Sequence, residues 1–360
     1  MSVLSRSVIL GLSLVSSSLF AEDSCTAAVG YVTTTALAQS DISTGTSLVR
    51  SPVYVGKIEN ASGSTIAVTG NPGWMLGEFT YAGETQPNTY YARVGGLDGE
   101  DGPYTGRIFT VEVAGNNVLI VTDPIDGPLD SLLAGAGIEI IPYWTLNTLF
   151  PSEDAGVSFV PTETPMEMKT MVVFRDHDMN GINIPLSKFY YFRDGKWRLV
   201  GGAYNDDFGD TIIHPNKPFT IRNPDTTPLE IRHLGQVQKG TMQVQVRSQA
   251  DRAQDTHLTT GVPVPVKLRE LNLANTPAFR SCTGPFNIQD MLMLYDNEKT
   301  GHGKSASVSY YNVGGVWKKA GGSYASDFGD DIIPPDASFF IRREAIPELT
   351  PVFWRTGLLE

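Results

Sequence analysis

The sequence predicts an all-β protein: an N-terminal barrel- or sandwich-like module followed by two homologous β modules. Three observations carry that expectation. Short runs rich in Val, Ile, Thr, Tyr and Phe alternate with polar residues and stop at Gly, Asn, Asp or Pro clusters, the pattern of half-buried strands. Helical periodicity is nearly absent. Residues 171–222 align without a gap on 291–342 at a fixed offset of 120, with 21 of 52 positions identical, so one β unit is present twice.

The chain opens with one cation, Arg6, then an apolar stretch from Val8 to Leu19, then small and acidic residues from Ala21. That order reads as a secretory signal peptide over 1–21. The apolar run is about a dozen residues, short of the roughly 20 that a membrane-spanning helix needs. Cleavage after Ala21 leaves 339 residues and moves the net charge from −12 to −13, because Arg6 leaves with the signal. No transmembrane segment is expected after signal removal. Cys25 follows Glu22, Asp23 and Ser24, which is not the small, apolar approach of a lipoprotein signal. The expected address is outside the inner membrane: periplasm, outer surface or extracellular.

The N-terminal β module is assigned to 22–141. Val53–Ile58, Ser64–Thr69, Tyr90–Val94, Arg107–Val113 and Val118–Thr122 read as its strands, with Gly115, Asn116 and Asn117 as a tight turn. A helical turn over Leu129–Leu133 is a weaker expectation. The run Ile141-Pro142-Tyr143-Trp144-Thr145-Leu146, ending at Phe150-Pro151, suggests a packed crossover, and a domain boundary is placed there. Repeat module 1 then covers 142–235 and repeat module 2 covers 236–360. The connecting region is read as Thr226–Pro265, most linker-like over the Gln-rich stretch 236–254. Shared positions include Tyr190-Tyr191 with Tyr310-Tyr311, Trp197 with Trp317, and Asp207-Phe208-Gly209-Asp210 with Asp327-Phe328-Gly329-Asp330. An ungapped register implies one packing demand met twice. Tyr, Trp, Ile and Phe at these places read as core, and the aspartates beside Phe-Gly as acceptors for local backbone amides.

The acidic balance disfavours nucleic acid, which needs clustered Lys and Arg, and is compatible with cations. Asp176-His177-Asp178-Met179-Asn180-Gly181 opens like a calcium loop, with Asp176, Asp178 and Asn180 as candidate metal ligands. The twelfth position is Ser187, where a bidentate acid belongs, so a polar hairpin tip competes with calcium. Asp206, Asp207 and Asp210, with Asp327, Asp330 and Asp331, allow a second cation site or a carboxylate pair, against a reading as surface turns. The two cysteines, Cys25 and Cys282, allow one long-range disulfide or two free thiols. The histidines, His177, His214, His233, His257 and His302, show no metal spacing, and no GxSxG elbow or phosphate loop is present. Trp197 and Trp317 are candidate sugar-stacking rings, against a reading as core.

Thr89-Tyr90-Tyr91-Ala92-Arg93-Val94, Gly106-Arg107-Ile108-Phe109 and the stretch from Ile138 through Ile141-Pro142-Tyr143-Trp144-Thr145-Leu146 to Pro151 resemble a paralogous family of uncharacterised exported verrucomicrobial proteins. Gly181-Ile182-Asn183, Tyr190-Tyr191, Trp197 and the segment 212–222 fit it too. The second copy departs, with His302-Gly303 in place of Ile182-Asn183. The resemblance implies a secreted or envelope protein and supplies no catalytic residues. The expected function is therefore an exported, non-enzymatic cell-envelope or extracellular β protein with a structural or adhesive role, whose partners are other envelope or surface components or glycans. A carbohydrate-binding protein is the alternative, requiring Trp197 and Trp317 to be exposed on one face. A secreted hydrolase is a further one, requiring a pocket that gathers histidines or paired carboxylates.

Overall fold

In a computed structural model that describes residues 28–357, apart from 98–99, 124–128, 130–133, 152–158, 165, 275 and 348–349, the strand-forming runs become antiparallel sheets. The protein is 44% strand and 4% helix, an all-β fold. The signal segment 1–21, Cys25 and most of the turn expected at Leu129–Leu133 lie outside the described residues.

Six strands close a barrel in the order Tyr54–Ser62, Thr65–Val68, Val118–Val121, Ile108–Gly115, Tyr90–Val94 and Gly137–Pro142. Alternation is the cause: in Ile108–Gly115, Phe109, Val111 and Val113 are buried while their neighbours are half-exposed, so one pleat face fills the barrel. The interior is finished by rings, with Tyr54, Trp74, Phe79 and Tyr90 in edge or tilted contact at 4.9, 5.5 and 4.8 Å between successive centroids.

Each repeat forms a five-stranded sheet. In the first the order is Lys196–Leu199, Leu186–Arg193, Met171–Arg175, Phe219–Asn223 and Ser40–Thr44; in the second it is Val316–Lys319, Val308–Val313, Asp290–Leu294, Ser338–Arg343 and Gln254–Thr259. The orders match strand for strand. The fifth strand of each sheet lies outside the ungapped repeat, and the two are equivalent because each flanks the same repeat strand. A small sheet accompanies each of them: Val29–Ala36, Leu229–Val237 and Leu48–Val49 in that order in the first unit, and Met242–Val246 with Val352–Thr356 in the second. So does a short pair followed by one helical turn: Trp144–Thr145 on Ile212–Ile213 before Leu146–Leu149, and Val266–Lys267 on Ile332–Ile333 before Leu268–Leu271.

Residues 29–49, inside the N-terminal module of the sequence reading, therefore hydrogen-bond to the first repeat and not to the barrel. The barrel sits within the first unit, between Val49 and Trp144, where the second unit has only the link between Thr259 and Val266. The linker expected over Thr226–Pro265 is corrected as well, since it holds the strands Leu229–Val237, Met242–Val246 and Gln254–Thr259. Two of its glutamines, Gln243 and Gln254, are buried. Gln254 is fully buried, accepting from Gly181 N at 2.8 Å and donating to the carbonyls of Met179 and Asp255.

The barrel meets the second unit at Gly106, which has φ +84 and accepts a hydrogen bond from Gln243 N at 3.1 Å. A Cβ there would overlap the Thr241 carbonyl oxygen and crowd the backbone of Met242. Both the left-handed backbone and the close approach require glycine. Gly106→Ala is expected to lower stability by about 2 kcal/mol or more, read as a shifted urea midpoint with unchanged slope.

Candidate binding cleft between the repeats

The two repeat units hold each other by one contact made twice. In the first unit Arg222 donates from Nε and Nη2 to the two carboxylate oxygens of Asp41, both at 2.8 Å. In the second, Arg342 makes the same fork to Asp255, at 2.8 and 2.9 Å. Arg222 and Arg342 are repeat mates, and each carboxylate stands opposite its arginine in the sheet register. Bidentate geometry of this kind fixes orientation as well as adding energy.

Each of these aspartates is then gripped by the loop of the other unit. Asp41 N donates to Gly301 O at 3.0 Å and Asp41 Oδ2 accepts from Gly303 N at 2.7 Å. Reciprocally, Asp255 N donates to Gly181 O at 2.9 Å and Asp255 Oδ2 accepts from Asn183 N at 2.7 Å. Gly181 with Gly301, and Asn183 with Gly303, are again separated by 120 residues, so exchanging the units maps one docking onto the other. The chain contains a pseudo-twofold axis, with the equivalent residues Gly45 and Thr259 touching across it. Burial alone would raise the Asp41 carboxyl, but Arg222, the Gly303 N–H and His302, whose Nδ1 lies 3.0 Å from Oδ1, outweigh it and hold the group below the usual carboxylate value.

The loops read from sequence as calcium-like are thus the clasp between the units. Asp176 Oδ1 accepts from Asp178 N at 3.1 Å, and Asp296 Oδ1 from Glu298 N at 3.0 Å, the same local turn in both copies. In the first copy the Arg247 guanidinium donates to the carbonyls of His177, Asp178 and Met179 and to Asn180 Oδ1, and Gln249 donates to the same Asn180 oxygen. Of the three candidate ligands, Asn180 meets this side-chain cation through its side chain and Asp178 through its carbonyl, while the Asp176 carboxylate is taken by the local turn. Among the described residues no group of three or more His, Cys, Asp or Glu has the geometry to hold a metal. The Asp-Phe-Gly aspartates act as turn acceptors, Asp207 Oδ1 from Trp197 N and Gly209 N, Asp327 Oδ1 from Trp317 N and Gly329 N.

Trp197 and Trp317 are 1% and 2% exposed. Trp197 packs among Phe150, Phe159 and Phe192, and Trp317 against Phe279. Neither ring has a face on which a sugar could stack, so the exposure required of them by the carbohydrate reading is absent, and their place is the core. Cys282 is buried, its sulfur 3.3 Å from Gln289 N.

A cavity of about 530 Å³ opens on the pseudo-dyad. Its walls come from equivalent positions in both units: Ser43 with His257, Arg175 with Tyr295, Ile184 with Lys304, Thr220 with Phe340. Asp41 and Asp255 form its charged margin. A second cavity of about 500 Å³ lies where the barrel and both units meet, and it gathers His177, His214 and His257. The His177 and His257 rings are 6.3 Å apart. Burial, reinforced by Lys217, pushes His177 and His214 down to about 4, and burial, reinforced by Arg175, pushes His257 well below its usual value, so all three are neutral at pH 7. Sequence spacing could not show this gathering, since the three come from different sheets and loops.

Comparison with protein-family models, with curated proteins and with solved structures finds no match to this chain. Among the described residues, no helix is long and apolar enough to cross a membrane.

Proposed function

We propose that the chain is an exported, non-enzymatic protein of the cell envelope or exterior, with a structural or adhesive role. The observation that supports it best is the reciprocal clasp. The most polar repeated loops, where catalytic or metal groups were sought, are engaged in binding the two units to each other, and the barrel is anchored between them. A rigid body built in this way suits a load-bearing or surface-presenting role. The signal-like start of the sequence and its resemblance to exported proteins point in the same direction. Its partners in this reading are other envelope or surface components, or glycans.

The hydrolase alternative draws on one observation, the cavity holding His177, His214 and His257. A general base also needs an orienting partner. His177 Nε2 lies 3.2 Å from the Pro218 carbonyl and His257 Nε2 3.4 Å from the Tyr295 hydroxyl, and no carboxylate hydrogen-bonds either ring among the described residues.

Fractionation of the native cell tests the proposal. The mature protein, shortened at its N-terminus, is expected outside the inner membrane and co-purifying with envelope or surface material. An uncleaved chain in the cytoplasm would overturn it.

A further inference from the structure

The clasp is symmetric, but the cavity it frames is not. The ion pairs of the clasp and one of its loop glycines keep their residue in both copies: Arg222 and Arg342, Asp41 and Asp255, Gly181 and Gly301. Beyond Asp41 and Asp255 at its margin, several positions that line the cavity differ in kind across the dyad. A cation faces a ring at Arg175 and Tyr295, an alkyl chain faces a cation at Ile184 and Lys304, and a hydroxyl faces a ring at Thr220 and Phe340.

The cavity lies within the size range of small-molecule sites, roughly 300–1,000 Å³, at about 530 Å³. Much of its wall is apolar, from Leu186 and Phe189 on one side and Met293 and Phe340 on the other. Two of its cations, Arg175 and Lys304, have no carboxylate ion pair among the described residues, unlike Arg222 and Arg342. Arg175 donates to the Ile184 carbonyl and lies 5.5 Å from the Tyr295 ring centroid. Lys304 donates to the carbonyls of Asp296 and Lys299. His257, 5% exposed, has an Nδ1 with no hydrogen-bond partner among the described residues, while its Nε2 faces the Tyr295 hydroxyl. The two carboxylates at the cavity margin, Asp41 and Asp255, are each paired with another arginine, which leaves the Arg175 guanidinium free to take an anion that enters the cavity.

We propose that the dyad cavity binds a small organic anion with an apolar body, an alkyl or aryl carboxylate. The carboxylate is taken by the Arg175 guanidinium, and the body lies against Leu186, Phe189, Met293 and Phe340. This goes beyond the structural or adhesive reading and does not depend on where the protein resides, so binding and fractionation fail separately.

Calorimetric titration of the mature chain with phenylpropionate and with hexanoate tests it, with phenylpropionamide as the uncharged control. Saturable binding at one site is expected for at least one carboxylate, weaker by about tenfold or more for the amide, because the amide lacks the negative charge and the second acceptor oxygen that the guanidinium fork engages. Arg175→Gln should weaken carboxylate binding to a similar extent and leave the amide unaffected. If Arg175→Gln does not fold, Leu186→Trp, which fills the cavity and keeps the arginine, should abolish binding of carboxylate and amide alike. No saturable binding of either carboxylate, equal affinity for the amide, or full affinity in a folded Arg175→Gln or Leu186→Trp variant would each overturn the proposal.

Discussion

Asp255→Ala is expected to destabilise the protein by about 3–5 kcal/mol, the cost of leaving a half-buried arginine without its counter-ion and of undocking the loop that the carboxylate holds. Asp255 is fully buried and Arg342 is 20% exposed, so water cannot replace the carboxylate efficiently. The same change also removes the acceptor of Asn183 N and so releases the first unit's loop. Asp41→Ala should cost a comparable amount, because Asp41 is 5% exposed and faces the same fork and the same loop amide. Asp251→Ala is the control: Asp251 pairs with Arg252, but both are more than half exposed, and no measurable change is expected. Urea unfolding of the three variants checks the series, and equal small effects at Asp255 and Asp251 would contradict it.

Stability should also change with pH in two opposed ways. Burial pushes His177, His214 and His233 down to about 4. The unfolded chain takes up protons on these rings near pH 6.5 and the folded chain only near pH 4, so stability is lost as pH falls through that window and is level below it. His233, 6% exposed and with no hydrogen-bond partner for either ring nitrogen among the described residues, should account for about 3 kcal/mol of that loss. Asp336 works the other way. Burial pushes its carboxyl up to about 7, and Ser47 beside it offsets this only in part. Folded Asp336 keeps its proton where the unfolded chain does not, so its contribution is complete below about pH 4 and lost as pH rises through 7. Asp336→Asn should therefore stabilise the protein by about 3–4 kcal/mol at pH 8 and by little at pH 4. The residue has φ +51, a conformation asparagine tolerates, and its mate in the first unit is already Asn216. Urea midpoints at pH 4, 6 and 8 check both limbs. A gain from Asp336→Asn that did not vary with pH would show that the carboxyl is not the cause.

Much of the barrel was legible because its strands carry a side-chain signature. Phe109, Val111 and Val113 alternate with half-exposed residues, and Gly115-Asn116-Asn117 marks the turn to Val118. Trp197 and Trp317 were legible as core for a similar reason, since both recur in strand contexts at a fixed offset. The insertion of the barrel into the first unit was hidden. Strand addition uses backbone groups, so Ser40–Thr44 and Gln254–Thr259 can do the same work while sharing little beyond Asp41 and Asp255. One signal could have found them: an arginine repeated at the end of a strand, Arg222 and Arg342, calls for a repeated carboxylate, and the aligned repeat offers none buried beside it. Across 236–254 polarity does not mean a linker, since Gln245 is exposed on a strand while Gln254 is a fully buried hydrogen-bonding hub. The loops at Asp176 and Asp296 carried the right chemistry, oxygen atoms arranged for a cation or an amide, but their partners lie on the opposite unit.

Hydrogen exchange at the docking loops of the Asp255→Ala variant tests the reciprocal clasp most directly. Protection is expected to fall at Asn183 N and across residues 176–183, while Gly303 N and residues 296–303, which dock on the intact Asp41, keep theirs. Equal loss in both loops, or none in either, would contradict the clasp.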